Sequence, residues 1–242
     1  MSYAIQWVRS LIFNAQMYVA LLVVGVIYTI PAIISANGAV AGCHAYCRYI
    51  RWSAGWMIGL KSEIRGEPPT DEVMVAPKHQ SFLDVLLIYG AIPRGKFIFK
   101  AILKYAPIVG QFGLRIGCIP VDRGKRGQAI KKMIADVEAG RAHAGQLIIY
   151  PQGTRIAPGV KAPYKVGTGV LYRELGQPVV PVATNVGVFW PKRGVYRKPG
   201  TAVFEFLPRI EPGLEVDDFM AKLETEIETA CDRLNKEAGF DG

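Results

Sequence analysis

Residues 73–92 read VMVAPKHQSFLDVLLIYGAI and combine a short apolar strand with a helix that follows it directly. The segment 73–76 is apolar and carries two valines, which is typical of a buried strand. Ser81 and Asp84 have the spacing of an N-terminal capping box, so a helix is predicted over 82–92. An apolar strand followed by a helix is the repeating unit of a parallel sheet that is covered on both faces.

The same alternation of strands and helices continues along the chain. Further strands are predicted over 97–100, 116–121, 147–150, 179–183 and 202–206, and further helices over 128–139 and 168–175. A last amphipathic helix begins at about Asp217, and its apolar stripe is formed by Phe219, Leu223, Ile227, Ala230 and Leu234. We therefore expect an α/β fold with a mostly parallel central sheet flanked by helices.

The first 60 residues differ from the rest of the chain, because they contain no acidic residue and three basic ones, Arg9, Arg48 and Arg51. As a helix, the apolar run 11–34 would be about 36 Å long, against a hydrocarbon core of about 30 Å. The apolar part of a signal peptide is shorter, at about 7–15 residues. We predict membrane-anchoring helices over 1–60 and a second domain over 61–242.

The sequence leaves open how the first 60 residues meet a membrane. Pro31 interrupts the apolar run, and Asn37-Gly38 suggests a reversal before a second helix that carries aromatic residues beside two arginines. Such a composition is typical of a helix lying in a membrane interface. A hairpin in one leaflet, a single span and a buried helix pair of a soluble protein all fit. Basic residues after the run favour a cytoplasmic body.

The charge balance indicates an anionic partner. The 242 residues carry 29 Lys+Arg and 20 Asp+Glu, a formal net charge of +9, and 50% of the residues are hydrophobic, which excludes a disordered chain. The positive excess would attract a phosphorylated substrate or an anionic bilayer. Nucleic acid is not expected as a partner, since no zinc-finger, basic-zipper or RNA-binding motif is present.

The four cysteines, Cys43, Cys47, Cys118 and Cys231, contain no C-x-x-C pair and suit a reducing compartment. Cys43, His44 and Cys47 lack the second ligand pair of a zinc site, so no metal is expected.

His79 follows the strand 73–76 and precedes Asp84 by five residues. The two side chains can meet if His79 lies in the loop and Asp84 in the first turn of the helix. A histidine paired with a carboxylate is a general base with its orienting partner. The alternative is a capping box beside a loop histidine with no chemical role.

Two further motifs follow predicted strands. In YPQGTR, at 150–155, Gly153 allows close backbone approach, Thr154 supplies a hydroxyl and Arg155 can bind an anion with its guanidinium fork. The segment 119–123, IPVDR, ends in Arg123 and is followed by more basic residues. Each motif alone is compatible with an ordinary surface turn.

Together, the order and spacing of these motifs over about residues 73–185 resemble the glycerolipid acyltransferase family, whose type member is 1-acyl-glycerol-3-phosphate acyltransferase. The family's blocks are matched by His79 and Asp84, by Lys100, Leu103, Pro107 and Gly110, by Asp122 and Arg123, by Pro151, Gly153, Thr154 and Arg155, and by Val180, Pro181 and Val182. The chain departs from the family at Lys78, where Asn is usual, and at Gln152, where Glu is usual. The loss of charge at Gln152 leaves the acceptor open.

The resemblance implies a glycerol-3-phosphate acyltransferase-like fold behind an N-terminal membrane-associated helix pair, and acyl transfer without a covalent enzyme intermediate. A fatty acyl group would pass from acyl-CoA or acyl-carrier protein to the free hydroxyl of 1-acyl-glycerol-3-phosphate (lysophosphatidic acid), giving phosphatidic acid. His79 would act as the general base and Asp84 would orient it. The residues implied in acceptor binding are Arg123, Gly153, Thr154, Arg155 and, more weakly, Lys100. No cofactor is expected besides the thioester co-substrate.

Other functions fit parts of this pattern. The same chemistry could act on another lyso-lipid, such as lyso-ornithine lipid or a lysophospholipid, and a non-catalytic membrane-associated protein could retain the fold. A lipase would need a G-x-S-x-G motif, which is missing. The expected partners are a lysophospholipid acceptor, an acyl thioester donor, the bilayer and acyl-carrier protein. The expected location is the inner (cytoplasmic) membrane, with the catalytic domain facing the cytoplasm.

Overall fold

The computed structural model describes residues 2–121, 135 and 145–240 of the chain. Its first half contains α1 (Tyr3–Ile27), α2 (Thr29–Ile34), α3 (Ala36–Ile58), β1 (Leu60–Arg65), β2 (Met74–Pro77), α4 (Leu83–Ala91), β3 (Gly95–Lys100), a 3-10 helix (Ala101–Tyr105), α5 (Val109–Arg115) and β4 (Ile119–Val121). The second half contains β5 (Gln146–Ile148), α6 (Gly167–Leu175), β6 (Val179–Thr184), α7 (Val186–Phe189), β7 (Gly200–Phe206) and α8 (Val216–Glu237).

The described strands form one sheet in the order β1-β7-β6-β2-β5-β3-β4. Neighbouring strands run parallel except for β6 and β7, which pair antiparallel. β2 lies in the middle, with Met74 opposite both Leu147 and Val179, and every residue of β2 and β6 is buried. The predicted α/β class with a mostly parallel sheet is confirmed, because strands buried on both faces are continuously apolar.

The predicted elements do not match the observed ones everywhere. β1 was not expected, because its sequence LKSEIR mixes polar and apolar residues at a sheet edge. The strand predicted over 116–121 is limited to β4, since residues 116–118 lie in the turn that follows α5. The helix predicted over 128–139 lies outside the described residues, apart from residue 135.

α1 and α3 form an antiparallel hairpin. The Gln6 side chain donates to the Ile58 carbonyl at 2.9 Å, and the Tyr46 hydroxyl donates to the Met17 carbonyl at 3.3 Å. The chain reverses at Ser35, whose hydroxyl accepts from the Gly38 N–H at 3.1 Å and caps α3. The turn predicted at Asn37-Gly38 was therefore wrong in position, since both residues belong to the first turn of α3.

The hairpin packs on the sheet and shares its apolar core. Phe13 and Ile50 of the hairpin belong to the same buried cluster as Leu87, Val182 and Phe204. The predicted division after residue 60 stays a prediction, although the core includes side chains from both sides of it. The opposite face of α1 is apolar and exposed, and α1 is long and apolar enough to cross a membrane by length and composition.

α6 and α8 cover the other face of the sheet. All five residues of the predicted α8 stripe are buried, and Phe219 stacks on Tyr172 of α6 with ring centroids 3.9 Å apart. Asp217 and Asp218 lie in the first turn of α8, where negative charge favours the helix dipole. β2, β5 and β3 are parallel neighbours in the sheet, so their carboxyl ends lie beside one another, and the site lies at this edge.

Candidate active site

His79, in the loop between β2 and α4, contacts Asp84 in the first turn of α4. His79 Nδ1 lies 2.9 Å from Asp84 Oδ1, and the Asp84 side chain is fully buried. The other carboxylate oxygen, Oδ2, accepts from the backbone N–H groups of Gln80 at 2.8 Å and Ser81 at 2.7 Å. With its Nδ1 proton donated to Asp84, the imidazole keeps Nε2 as an acceptor.

The capping box predicted at this helix is present only in part, because the helix begins at Leu83 and Phe82, not Ser81, occupies its N-cap position. The Ser81 hydroxyl accepts from the Leu83 N–H at 3.2 Å, while the Asp84 carboxylate accepts from the Ser81 N–H. The two readings of the motif are therefore compatible, because Asp84 uses one oxygen for the helix end and the other for His79. The Asp84 carboxylate therefore both binds the backbone N–H groups at the start of the helix and orients the imidazole.

Tyr150 stacks on the imidazole of His79, and the sequence analysis assigned it no role. The two ring centroids are 4.0 Å apart and the planes differ by 22°. Burial and the negative charge of Asp84 hold the pKa of the Tyr150 hydroxyl well above its usual value, so the hydroxyl stays protonated. Only the strand order could have indicated this contact. Tyr150 follows β5 and His79 follows β2, and these two strands are parallel neighbours in the sheet.

The loop after Tyr150 closes over the His79 loop. Gly153 adopts φ +64°, in the left-handed region that favours glycine, and the Ile156 N–H donates to the His79 carbonyl at 2.8 Å. A Cβ added to Gly153 would lie 2.9 Å from the Nζ of Lys165, so this ammonium group lies over the glycine. The sequence analysis missed Lys165, which is ten residues beyond the motif it joins.

Arg155 is held by backbone groups. Its Nη1 donates to the Lys192 carbonyl at 3.3 Å, and the Lys192 ammonium donates to the Arg155 carbonyl at 2.9 Å. Within residues 2–121 and 145–240, no carboxylate lies within ion-pair distance of Arg155. The guanidinium group therefore keeps donors for an anion.

A cavity of about 700 Å³ begins at these residues and extends toward the hairpin. One end is bordered by His79, Lys100, Gly153, Thr154 and Arg155. The remainder is apolar and is lined by side chains of α1, α3, α4 and α5, among them Met17, Leu21, Tyr46, Leu86, Val109 and Phe112.

Of two further residues singled out in the sequence, one lies outside the described residues and the other does not border this cavity. Arg123, with Asp122, lies outside the described residues. Gln152 is 3% exposed, and its amide donates to the Ala162 carbonyl at 3.1 Å, so its side chain ties down the loop rather than facing the cavity.

The described residues contain no group of three or more His, Cys, Asp or Glu side chains that could hold a metal ion. The four cysteines are free thiols, and Cys43, Cys47 and Cys118 line the apolar part of the cavity.

Residues 61–185 match the Acyltransferase family, and this range contains His79, Asp84, Lys100 and the whole 150–155 motif. The chain belongs to the acyltransferase family. The relationship that the spacing of the motifs led us to expect is thereby confirmed. The hairpin and α8 lie outside the matched range.

Several curated relatives carry the name 1-acyl-sn-glycerol-3-phosphate acyltransferase. The protein from Pseudomonas aeruginosa is 29% identical over 158 residues, which is 64% of this chain and 62% of that protein. The alpha form from Mus musculus is 29% identical over 181 residues, 72% of this chain and 64% of the relative, and the Saccharomyces cerevisiae protein is 28% identical over 192 residues, 76% and 63%. The matches thus span less than two thirds of these relatives.

The fold is also that of a solved structure. The crystal structure of the 1-acyl-sn-glycerophosphate (LPA) acyltransferase PlsC from Thermotoga maritima superimposes with a TM-score of 0.78 and covers 95% of this chain and 97% of that one, at 17% identity. The likeness includes the hairpin as well as the sheet, since almost the whole chain is covered.

Proposed function

We propose that the protein transfers a fatty acyl group from an acyl thioester to the free hydroxyl of 1-acyl-glycerol-3-phosphate, giving phosphatidic acid. The observation that carries the proposal is the oriented His79–Asp84 pair at the cationic end of an apolar cavity of about 700 Å³. The names of the relatives, at 28–29% identity, support the same acceptor.

In the proposed reaction, His79 Nε2 removes the proton of the acceptor hydroxyl as its oxygen attacks the thioester carbonyl carbon. The Asp84 carboxylate, held by two backbone N–H groups, stabilises the imidazolium that forms. Collapse of the tetrahedral intermediate breaks the C–S bond, and the leaving thiolate takes the proton from the imidazolium. A general base of this kind contributes a factor of about 10²–10⁴ to the rate.

The apolar part of the cavity would hold the acyl chain of the donor, with its carbonyl beside His79. Each methylene group buried there is worth about 0.8 kcal/mol, so the chain itself supplies binding energy. The donor would be acyl-CoA or acyl-carrier protein, and no cofactor besides this thioester is proposed.

Arg155 and Lys100 would bind the acceptor phosphate, joined by Arg123. Guanidinium groups bind phosphate with paired hydrogen bonds, and Arg155 has donors free of carboxylates in the described part of the chain. The competing acceptors are lyso-ornithine lipid, which has no phosphate, and other lysophospholipids. Lys100 and Arg155 border the same cavity as His79, and their positive charge favours the phosphorylated acceptor.

The hairpin would hold the protein at the inner membrane, with the catalytic domain on the cytoplasmic side. The exposed apolar face of α1 supports this placement, as do Trp52 and Trp56 of α3, which are 63% and 60% exposed. An acceptor lipid in the bilayer could then reach the cavity without crossing water.

The test is acyl transfer from labelled long-chain acyl-CoA in detergent micelles, with 1-acyl-glycerol-3-phosphate and lyso-ornithine lipid compared as acceptors. We expect strong preference for the phosphorylated acceptor and loss of transfer in a folded His79→Ala variant. Preference for lyso-ornithine lipid would be consistent with the proposed acyl transfer but would overturn the proposed binding of phosphate by Arg155 and Lys100. Full transfer by the folded variant would overturn the base assignment.

A further inference from the structure

Tyr150 and Asp84 contact the imidazole of His79 in different ways. Tyr150 stacks on one face of the ring, and Asp84 hydrogen-bonds to the ring nitrogen Nδ1. The hydrogen bond from His79 Nδ1 to Asp84 fixes one atom of the ring but leaves the ring free to tilt about that bond. The Tyr150 ring stacks on the imidazole, with centroids 4.0 Å apart and planes that differ by 22°, and so blocks the tilt on one side.

Tyr150 is itself supported from behind. Its ring stacks against Phe97 of β3, with centroids 6.4 Å apart and planes within 13°, and Phe97 in turn stacks with Tyr89 of α4 at 6.0 Å and 23°. The three aromatic side chains line the cavity beside His79. A row of stacked rings therefore runs from the imidazole along the cavity wall and is anchored on two different elements.

We infer that Tyr150 is a positioning residue for His79, acting through its ring; this inference rests on the function proposed above. The ring keeps Nε2 directed into the cavity, toward the place where the acceptor hydroxyl must lie. The Tyr150 hydroxyl is buried next to Asp84, whereas the ring is the part of Tyr150 that stacks on the imidazole, so we assign the effect to the ring. Proton transfer is sensitive to such alignment, because it requires a defined distance and angle between the two heavy atoms.

If Tyr150 served only as part of the cavity wall, its replacement would have a different kinetic effect. Since Tyr150 also lines the cavity, loss of its ring could weaken acyl-chain binding and raise KM for the thioester with kcat unchanged. Loss of alignment at His79 lowers kcat with little change in KM. The split between the two kinetic constants therefore separates positioning from packing.

The experiment compares Tyr150→Leu, Tyr150→Met and Tyr150→Phe with the unmodified chain, using acyl-CoA and 1-acyl-glycerol-3-phosphate in micelles. We expect kcat to fall about 10- to 100-fold in the Leu and Met variants at nearly constant KM, and to recover in the Phe variant, which restores the ring. Circular dichroism and the thermal midpoint identify folded variants, and the Met variant serves if the Leu variant does not fold.

Three results would overturn the assignment: a folded Leu or Met variant with full kcat, a change confined to KM, or a Phe variant as impaired as the Leu variant. An unmodified chain that transfers no acyl group to any lyso-lipid would overturn the proposed function and this inference together. An active unmodified chain with an equally active Leu variant would overturn the inference alone.

Discussion

The ammonium group of Lys78, one residue before His79, lies 2.5 Å from Oε1 of Glu228 on α8. The Lys78 side chain is 2% exposed and that of Glu228 is 30% exposed. The Tyr164 hydroxyl donates to the same carboxylate oxygen at 2.9 Å, and the Lys78 N–H donates to the Val182 carbonyl at 2.8 Å. The His79 loop is thus tied to a helix outside the matched family range, through the lysine that replaces the usual Asn.

Removing the carboxylate of this pair should destabilise the fold. Glu228→Gln leaves the Lys78 ammonium buried without a counter-charge, and we expect the free energy of unfolding to fall by about 2–3 kcal/mol. The loss is below that of a fully enclosed pair, because Glu228 is partly open to water. Urea unfolding followed by circular dichroism measures it.

Glu224→Gln is the matched control, since Glu224 lies one helical turn earlier on α8 and is exposed. Its effect should stay below about 0.5 kcal/mol. Equal unfolding free energies for Glu228→Gln and the unmodified protein would show that Lys78 does not depend on this carboxylate. The double variant Lys78→Met with Glu228→Gln should recover part of the loss, because no unpaired charge remains buried.

Restoring the usual glutamate at position 152 should weaken this protein. The Gln152 amide donates to the Ala162 carbonyl, whereas a carboxylate in that place has no proton to donate and faces a carbonyl oxygen. A lost buried hydrogen bond of this kind costs about 1–3 kcal/mol. We expect Gln152→Glu to lower the thermal midpoint and to leave the ratio of kcat/KM values for phosphorylated and unphosphorylated acceptors unchanged.

A change of acceptor preference in a stable Gln152→Glu variant would contradict this view. It would mean that the side chain reaches the acceptor during turnover, although it does not border the cavity. Gln152→Ala separates the two effects, since it removes the hydrogen bond without adding charge.

The class of fold was predictable because β2 and most of β6 are apolar, and buried parallel strands have that composition. The pairing of His79 with Asp84 was predictable as one of two interpretations, because a capping box turns a carboxylate of the first helical turn back toward the preceding loop. β1 was not predictable, since its mixed polar and apolar sequence suits a strand at the edge of the sheet. That edge position follows from its pairing with β7, which is distant in sequence.

Other parts of the site depend on contacts between distant segments. Lys165 reaches Gly153, Tyr150 reaches His79 and Lys78 reaches Glu228, and no local spacing encodes these contacts. They follow from the order of strands in the sheet and from the path of the loops above it. The sequence therefore indicated which motifs lie together in the site, but not which distant side chains contact them.

The buried cysteines should be chemically silent in the native protein. Burial raises the pKa of the Cys118 thiol to about 12 and that of the Cys231 thiol to about 12. The thiolate is the reactive form, so at pH 8 both groups are almost entirely unreactive thiols. We expect iodoacetamide to label neither residue in the native state at pH 8 and both after unfolding, as measured by mass spectrometry of peptides. Rapid native labelling of Cys231 would contradict the packing of α8 on the sheet.

Arg155 is the residue whose replacement tests the phosphate site most directly, because its side chain borders the cavity beside Gly153 and Thr154. Hydrogen bonds to a charged group contribute about 1.5–3 kcal/mol, so Arg155→Ala should raise KM for 1-acyl-glycerol-3-phosphate by about 10- to 150-fold. Arg155→Lys keeps the charge but loses the paired geometry, and its KM should lie between the two. The KM for the acyl thioester should change little.

Lys192→Ala is the control for this prediction, since it removes the side chain that bonds to the Arg155 carbonyl while keeping its own backbone carbonyl as the partner of the guanidinium group. We expect a smaller rise in the acceptor KM, because the guanidinium donors stay in place. If Arg155→Ala instead lowers kcat with an unchanged acceptor KM, Arg155 contacts the reacting atoms rather than the phosphate. The phosphate would then have to bind to the other cations, with Lys100 and Lys165 the next residues to replace.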